Sequence, residues 1–251
     1  MLLAHVSDIH IGQDFRGDGG ARALARARKV VDYLNALPGD LDGVLVTGDL
    51  ADHGTPVEYE IVRELLGTLR FPVLICPGNH DERTAYRETL LAEPANTEAI
   101  NQVHQLGGFT IAMCDSSIPG RNEGLLDDDT LTWLDKVISD TEDPVLVCFH
   151  HPPVRMGQPF LDGIRLLNPD QLAEVLGDGV LAVLCGHAHT AASSTFAGRP
   201  VIVAPGVVST LQLPFEGDEG ITYDLPPAIA FHRISSDETG ELGLITHFRS
   251  L

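Results

Sequence analysis

Five times along this chain a short apolar run ends in an aspartate, asparagine or histidine. Leu2–Val6 (LLAHV) leads into Ser7-Asp8-Ile9-His10, and Gly43–Thr47 (GVLVT) into Gly48-Asp49-Leu50-Ala51-Asp52. Pro72–Cys76 (PVLIC) leads into Pro77-Gly78-Asn79-His80-Asp81. Pro144–Phe149 (PVLVCF) leads into His150-His151-Pro152-Pro153, and Val180–Cys185 (VLAVLC) into Gly186-His187-Ala188-His189. Runs that are apolar throughout fit strands covered on both faces. A sixth run, Phe109–Cys114, has the same character. Amphipathic helices separate them. One spans Ala21–Ala36 with Leu24, Ala27, Val31 and Leu34 on one face. Another opens at Thr55-Pro56-Val57-Glu58, a capping box with Pro at the first helical position, and continues with Ile61 and Leu65. Helices are also expected near Asp128–Ser139 and from Asn168-Pro169-Asp170-Gln171 to about Gly177. The pattern predicts one α/β domain over residues 1–251. After residue 190 the runs Pro200–Ala204, Ala228–Ile234 and Leu242–Phe248 lack intervening helices, so the C-terminal third is expected to add a mostly antiparallel sheet. Leu211–Pro227 reads as a long irregular loop.

In an open α/β sheet, ligands bind outside the carboxyl ends of the strands. The strand-ending polar residues therefore belong to one crevice. Carboxylate, imidazole and amide oxygen together suit borderline-hard divalent cations. Besides His80 there are seven such residues: Asp8, His10, Asp49, Asn79, His150, His187 and His189. One tetrahedral zinc takes only three or four protein ligands. The set suits two metal ions roughly 3.5–4 Å apart, bridged by a carboxylate and a water. A lone Asp or His at a strand end is most simply a turn cap. Five coordinated exceptions are not, and burying so many ionisable groups without a metal is costly.

The 16 basic and 36 acidic residues give a net charge of -20, which disfavours a nucleic acid polymer or an anionic membrane as partner. Exposed charges are screened beyond about 8 Å at physiological salt, so a small phosphate ester can still approach a locally positive centre. No apolar run approaches the roughly 18 residues of a membrane helix, and the start MLLAHVSDIH lacks a basic region like that of a signal peptide. The expected location is cytoplasmic. Cys76, Cys114, Cys148 and Cys185 each close an apolar run, and none forms a CxxC pair; buried reduced thiols are the simpler reading than soft metal ligands.

The motifs SDIH, GDLAD, GNHD, HHPP and GHAH, in this order, resemble the calcineurin-like metallophosphoesterase superfamily. TGDLADHG, and DSSIPG followed by a WL-containing helix, are similar to the bacterial class III cyclic-nucleotide phosphodiesterases; glycerophosphodiesterases form a nearby branch. The resemblance implies a four-layer αββα sandwich with two mixed β-sheets flanked by helices. It implies two divalent metal ions per chain (Fe, Mn, Zn or Co). Asp8, His10 and His189 would bind the first, Asn79, His150 and His187 the second, and Asp49 would bridge them. His80 would face the substrate phosphate and protonate the leaving group. The implied chemistry is attack of a metal-bridging hydroxide on a small phosphodiester, with 3′,5′-cyclic nucleotides such as cAMP as first substrate class. Glycerophosphodiesters or other small phosphate esters are the alternative. A non-catalytic, metal-dependent binding scaffold is the reading of another class, and the complete residue set with His80 argues against it. Relatives include homodimers, for which Leu211–Pro227 is the candidate contact.

Other residues carry weaker signals. Asp52 can orient a ligand from behind or simply start a turn. His151 can contact substrate or support the turn before Pro152-Pro153. His53, Arg121 and Arg155 are expected on the surface, and His5, His104, His232 and His247 in structural roles. Asp127–Asp129 read as a helix N-terminus, and Trp133 as a packing residue. Substrate choice is expected to lie in Ile118–Gly124, Pro152–Leu167 and Leu211–Pro227, where Phe160, Phe215 and Tyr223 offer either a stacking surface or local packing.

Overall fold

Successive side chains of a strand point to opposite faces, and here that alternation sorts the apolar residues into separate layers. The computed structural model describes residues 1–217 and 220–251. In chain order the elements of the first half are β1 (Leu2–Val6), α1 (Ala21–Asn35), β2 (Gly43–Thr47), α2 (Pro56–Leu66), β3 (Val73–Cys76), α3 (Arg83–Tyr86), β4 (Gln102–Leu106) and β5 (Phe109–Met113). They continue as α4 (Asp128–Ser139), β6 (Val145–Cys148), α5 (Pro159–Ile164), α6 (Pro169–Val175), β7 (Val180–Cys185), β8 (Ala192–Phe196) and β9 (Arg199–Val203). The chain ends with β10 (Thr210–Leu211), β11 (Ile221–Thr222), β12 (Ala228–Ser236) and β13 (Leu242–Ser250).

One mixed sheet has the order β13-β12-β1-β2-β3 and the other the order β4-β5-β6-β7-β9-β8. Ala4 and Val6 of β1, with Val44 and Val46 of β2, pack with Val31 and Leu34 of α1 and Tyr59 and Val62 of α2. Leu3 and Leu45, on the opposite face, join Ile111, Met113, Leu146 and Cys148 of the second sheet in a core between the sheets. The outer face of that sheet, including Ala112, Val145 and Val147, packs on Leu131 and Leu134 of α4 and Leu172 of α6. The layers are therefore helix, sheet, sheet, helix, as the family resemblance implies. The helix starts also follow the sequence. Thr55 Oγ1 accepts from the Glu58 N–H (3.3 Å) while Glu58 accepts from the Thr55 N–H (3.0 Å). Asp127 accepts from the Thr130 N–H at 2.8 Å, and Trp133 packs against the outer core.

The C-terminal third departs from the sequence reading, because it forms no major sheet of its own. β12 extends the first sheet antiparallel to β1, and β13 borders it antiparallel to β12. β9 joins the second sheet parallel to β7, with β8 antiparallel at its edge. β4 is also absent from the sequence reading; its QVHQL is half polar and half exposed because it is an edge strand. Leu211–Pro227 overlaps the short β10–β11 pair, which begins at Thr210, and its residues 218 and 219 lie outside the described residues. All four cysteines are buried and unpaired. No helix among the described residues is long and apolar enough to cross a membrane.

A buried histidine pair ties the first sheet together. His5 Nδ1 lies 3.0 Å from His232 Nε2, His5 Nε2 lies 2.8 Å from Thr47 Oγ1, and His232 Nδ1 lies 2.9 Å from Thr246 Oγ1. One N–H per ring satisfies this row in either direction, so both rings fit as neutral groups. Burial lowers the His232 pKa to about 3 and lowers that of His5 well below its usual value. In the unfolded chain both titrate near 6.5. Between that value and about pH 3 the unfolded state binds more protons than the folded state. The stability held above pH 6.5 is therefore lost as pH falls, by about 1.4 kcal/mol per pH unit for each such proton. Urea unfolding from pH 7 to pH 4 should show this slope, and His232→Asn should flatten it by about one proton; an unchanged slope in the variant would count against the neutral pair.

Candidate metal centre

Strands β1, β2 and β3 of one sheet and β6 and β7 of the other end at the same edge of the sandwich, and their loops are stitched together there. The Asp8 N–H donates to the Gly48 carbonyl (3.2 Å) and the His10 N–H to the Asp49 carbonyl (2.9 Å). The Gly186 N–H donates to the His150 carbonyl (3.0 Å). The His187 N–H donates to Asp8 Oδ2 (3.1 Å), which joins the two sheets. Asp8, His10, Asp49, His187 and His189 all adopt left-handed backbone conformations, with φ of 56°, 43°, 50°, 68° and 51°. Each such residue costs about 1–3 kcal/mol and persists only where its surroundings hold it there. The turns aim these side chains inward at that expense. Close approach also requires glycine. A Cβ at Gly48 would lie 2.5 Å from His150 Nδ1, and one at Gly78 would overlap the Asp49 carboxylate.

Donor atoms of Asp8, His10, Asp49 and His189 all lie within 4.8 Å of one another. Asp8 Oδ1 is 3.2 Å from His189 Nε2, and His10 Nε2 is 3.3 Å from that same nitrogen. His187 Nδ1 lies 3.2 Å from His150 Nε2. Asp49 faces both groups through one oxygen: Oδ2 is 3.4 Å from His10 Nε2 and 3.2 Å from His150 Nε2. Its other oxygen accepts the His80 backbone N–H at 2.9 Å.

The outward nitrogens of these rings are held from behind. His10 Nδ1 pairs with Asp52 Oδ1 (2.9 Å), His150 Nδ1 donates to the Thr47 carbonyl (2.7 Å) and His189 Nδ1 pairs with Ser209 Oγ (2.7 Å). Each bond fixes its ring and leaves Nε2 facing the other donor atoms, the arrangement typical of histidines that ligate metals.

Several observations test whether a divalent ion fits. Asp8 Oδ1, Asn79 Oδ1 and His187 Nε2 are buried without a hydrogen-bond partner, and buried polar atoms are seldom left so. The lone pairs of two carboxylates and several imidazoles converge, so the cavity calls for positive charge. Burial alone would lower the His150 pKa, but Asp49 and Asp8 outweigh it and raise it to about 9. Burial would raise Asp49, yet His150 and His10 hold it well below the carboxylate range. His187 goes the other way: burial, then repulsion from His150, lowers it to about 3, which leaves an unprotonated donor. Oxygen and imidazole donors in this number fit divalent ions such as Fe, Mn, Zn or Co.

The structure groups Asp8, His10, Asp49 and His189, groups His150 with His187, and sets His80 beside His10 and Asp52. His80 stands at the opening with its side chain 39% exposed, and its Nδ1 donates to the Asp52 carbonyl at 2.8 Å. Nε2 is thereby free to act outward. His151 is fully buried, with Nδ1 2.8 Å from Ser116 Oγ and its ring centre 4.5 Å from that of His187. This suits support of the His187 ring better than a solvent-facing contact. His150, His151 and His187 also form a three-histidine group by themselves. Arg121 pairs with Glu123 at the surface, and the His53 side chain is 62% exposed and bonded to Glu58.

Asp81 has no assigned role in the sequence reading. It accepts from the N–H groups of Leu50 (3.2 Å), Ala51 (3.2 Å) and Gly78 (2.8 Å), and from the Tyr59 hydroxyl (3.0 Å). It thus ties the loop carrying Asp49 to the loop carrying Asn79. Its place in GNHD was visible, but not that its side chain turns back onto two other segments. Ser209 was missed because it lies 20 residues from His189 in an irregular segment.

The first 191 residues match the family model described as calcineurin-like phosphoesterase. The chain belongs to the calcineurin-like phosphoesterase family. It is 33% identical over 243 residues to a glycerophosphodiester phosphodiesterase of Enterobacter lignolyticus, covering 93% of this chain and 87% of that protein. It is 31% identical over 252 residues to a 3′,5′-cyclic adenosine monophosphate phosphodiesterase of Pseudomonas aeruginosa, covering 97% of this chain and 89% of that one. Among solved structures it superposes on a dimetal phosphatase from Danio rerio with a TM-score of 0.65 and 15% identity, over 92% of this chain and 94% of that one. At that identity the likeness concerns the fold.

Asp81→Asn places an NH2 group among N–H donors. It should weaken binding of Mn²⁺ about 10–100-fold in a calorimetric titration while circular dichroism stays native. Unchanged affinity would mean that Asp81 does not position the donors.

Proposed function

We propose that this chain is a dinuclear metal-dependent phosphodiesterase acting on small phosphodiesters, with 3′,5′-cyclic nucleotides as its principal substrate class. The observation that carries this reading is the position of Asp49 Oδ2, 3.4 Å from His10 Nε2 and 3.2 Å from His150 Nε2. One carboxylate oxygen serving two sets of donors is the geometry of a bridging ligand. In this reading Asp8, His10 and His189 hold one ion, Asn79, His150 and His187 hold the other, and Asp49 is shared. When bound, such ions supply positive charge for the phosphoryl oxygens and lower the pKa of bound water to about 7.

The chain's own residues do the rest. Asp52, Thr47 and Ser209 hold the rings of His10, His150 and His189 in the donor orientation before substrate arrives, so no reorganisation accompanies the reaction. His80 is the catalytic acid. The Asp52 carbonyl keeps its proton-bearing Nδ1 occupied, and in the imidazolium form Nε2–H can protonate the leaving alkoxide. Burial disfavours that charged form, but Asp49 and the Asp52 carbonyl more than offset it and raise the His80 pKa above its usual value.

Two features support phosphodiesters as substrates. The similar proteins bear phosphodiesterase names, and a net charge of -20 disfavours a polyanionic nucleic acid. The same centre accommodates glycerophosphodiesters as a second reading, favoured by the match to the Enterobacter lignolyticus protein over 93% of this chain. A cytoplasmic setting suits the four buried unpaired cysteines.

His80→Ala should lower kcat about 10²–10⁴-fold on a substrate with a poor leaving group. The metal content measured on the same sample should be unchanged. A kcat close to that of the wild type would remove His80 from the mechanism. A wild-type enzyme loaded with Mn²⁺ or Co²⁺ that failed to hydrolyse cAMP, glycerophosphodiesters and bis-p-nitrophenyl phosphate alike would contradict the catalytic reading.

A further inference from the structure

Beside the metal-centre residues stands a cluster that the chemistry above does not use. The Gln13 N–H donates to the His10 carbonyl (3.0 Å), which reverses the chain directly after His10. The next residues are organised by one carboxylate: Asp18 accepts the N–H groups of Phe15 (3.0 Å), Gly20 (2.9 Å) and Arg22 (3.0 Å). This presents the Phe15 ring to Tyr223, which follows β11. Their ring centres are 4.7 Å apart and tilted by 41°. The guanidinium carbons of Arg16 and Arg22 each lie 4.9 Å from the centre of the Phe15 ring, and that of Arg22 lies 5.4 Å from Tyr223. Arg16 is exposed, while Phe15, Arg22 and Tyr223 are half-buried.

The cluster is fastened to the metal-centre turns. Arg22 Nη1 donates to the Val208 carbonyl at 3.2 Å. The Val208 N–H donates to the Asp8 carbonyl at 3.0 Å, and the next residue, Ser209, holds His189. Two guanidinium groups and two aromatic rings thus stand beside the Asp8 and His189 side of the centre, in a chain of net charge -20.

We propose that Phe15, Arg16, Arg22 and Tyr223 form the platform that receives the nucleobase of a cyclic nucleotide; the inference rests on the phosphodiesterase reading above. A guanidinium lying on an aromatic ring keeps its second face for another planar group, and arginine and aromatic planes are the usual surfaces on which unpaired bases stack. Arg16 offers such a face to solvent. The Asp18 bonds and the Arg22–Val208 bond fix the cluster in advance, so little freedom is lost on binding. A glycerol substituent has no π-face to stack and gains little from this surface.

Steady-state kinetics of Mn²⁺-loaded wild type, Phe15→Ala, Arg16→Ala and Tyr223→Ala, each on cAMP and on glycerophosphocholine, test the proposal. Phe15→Ala and Arg16→Ala should raise KM for cAMP about tenfold, the size of one base-stacking contact, with kcat little changed. Both parameters for glycerophosphocholine should stay as in the wild type, which also shows that each variant is folded and loaded. Tyr223→Ala should follow the same pattern more weakly. Equal effects on both substrates, or none on cAMP, would overturn the platform. Wild-type turnover of glycerophosphocholine without cAMP would overturn the platform and leave the phosphodiesterase reading standing. Turnover of neither substrate would overturn the platform, and the phosphodiesterase reading would fall with it if bis-p-nitrophenyl phosphate were not hydrolysed either.

Discussion

Lone pairs crowded into one buried pocket are the constraint on which the rest of this structure turns. Donor atoms of Asp8, His10, Asp49 and His189 lie within 4.8 Å of one another, and a nitrogen of His187 stands 3.2 Å from His150 Nε2. Without positive charge this arrangement repels itself, and taking it out of water adds a further penalty. The upward shift of His150 to about 9 is the same demand expressed as proton affinity. In the proposed dinuclear centre, divalent cations meet that demand. They also explain how so acidic a chain can attract an anionic ester, because the centre is locally positive against a negative surface.

The fold meets this constraint by placing its strain at strand ends. Parallel neighbours β1, β2 and β3, and β5, β6 and β7, bury both faces of their runs, which fixes their positions firmly. Against that rigid base the turns can hold Asp8, His10, Asp49, His187 and His189 in left-handed conformations. Bonds from Asp52, Thr47, Ser209 and Asp81 then leave the donors few alternative orientations.

Much of this was legible in the sequence because it depends on local pattern. Five apolar runs, each ending in Asp, Asn or His, mark the strands, and the Asp and His residues that follow them fall into clusters of close donor atoms. The helix starts at Thr55 and Asp127 were legible for the same reason, since a capping residue acts within one turn. Long-range partnerships were not. Nothing in β12 or β13 says that they border β1, because a strand pattern carries no address for its neighbour. Ser209 and Asp81 act through the turns of other segments, and β4 is too polar to announce itself as a strand. The Phe15–Tyr223 contact joins residues from distant loops, so each aromatic alone reads as ordinary packing.

The most direct measurement is anomalous diffraction from crystals reconstituted with Mn²⁺ or Zn²⁺, with elemental analysis of the same preparation. The account predicts two peaks per chain roughly 3.5–4 Å apart, on either side of Asp49 Oδ2. One peak beside Asp8, His10 and His189 alone, or a single ion held by His150, His151 and His187 away from Asp49, would contradict it.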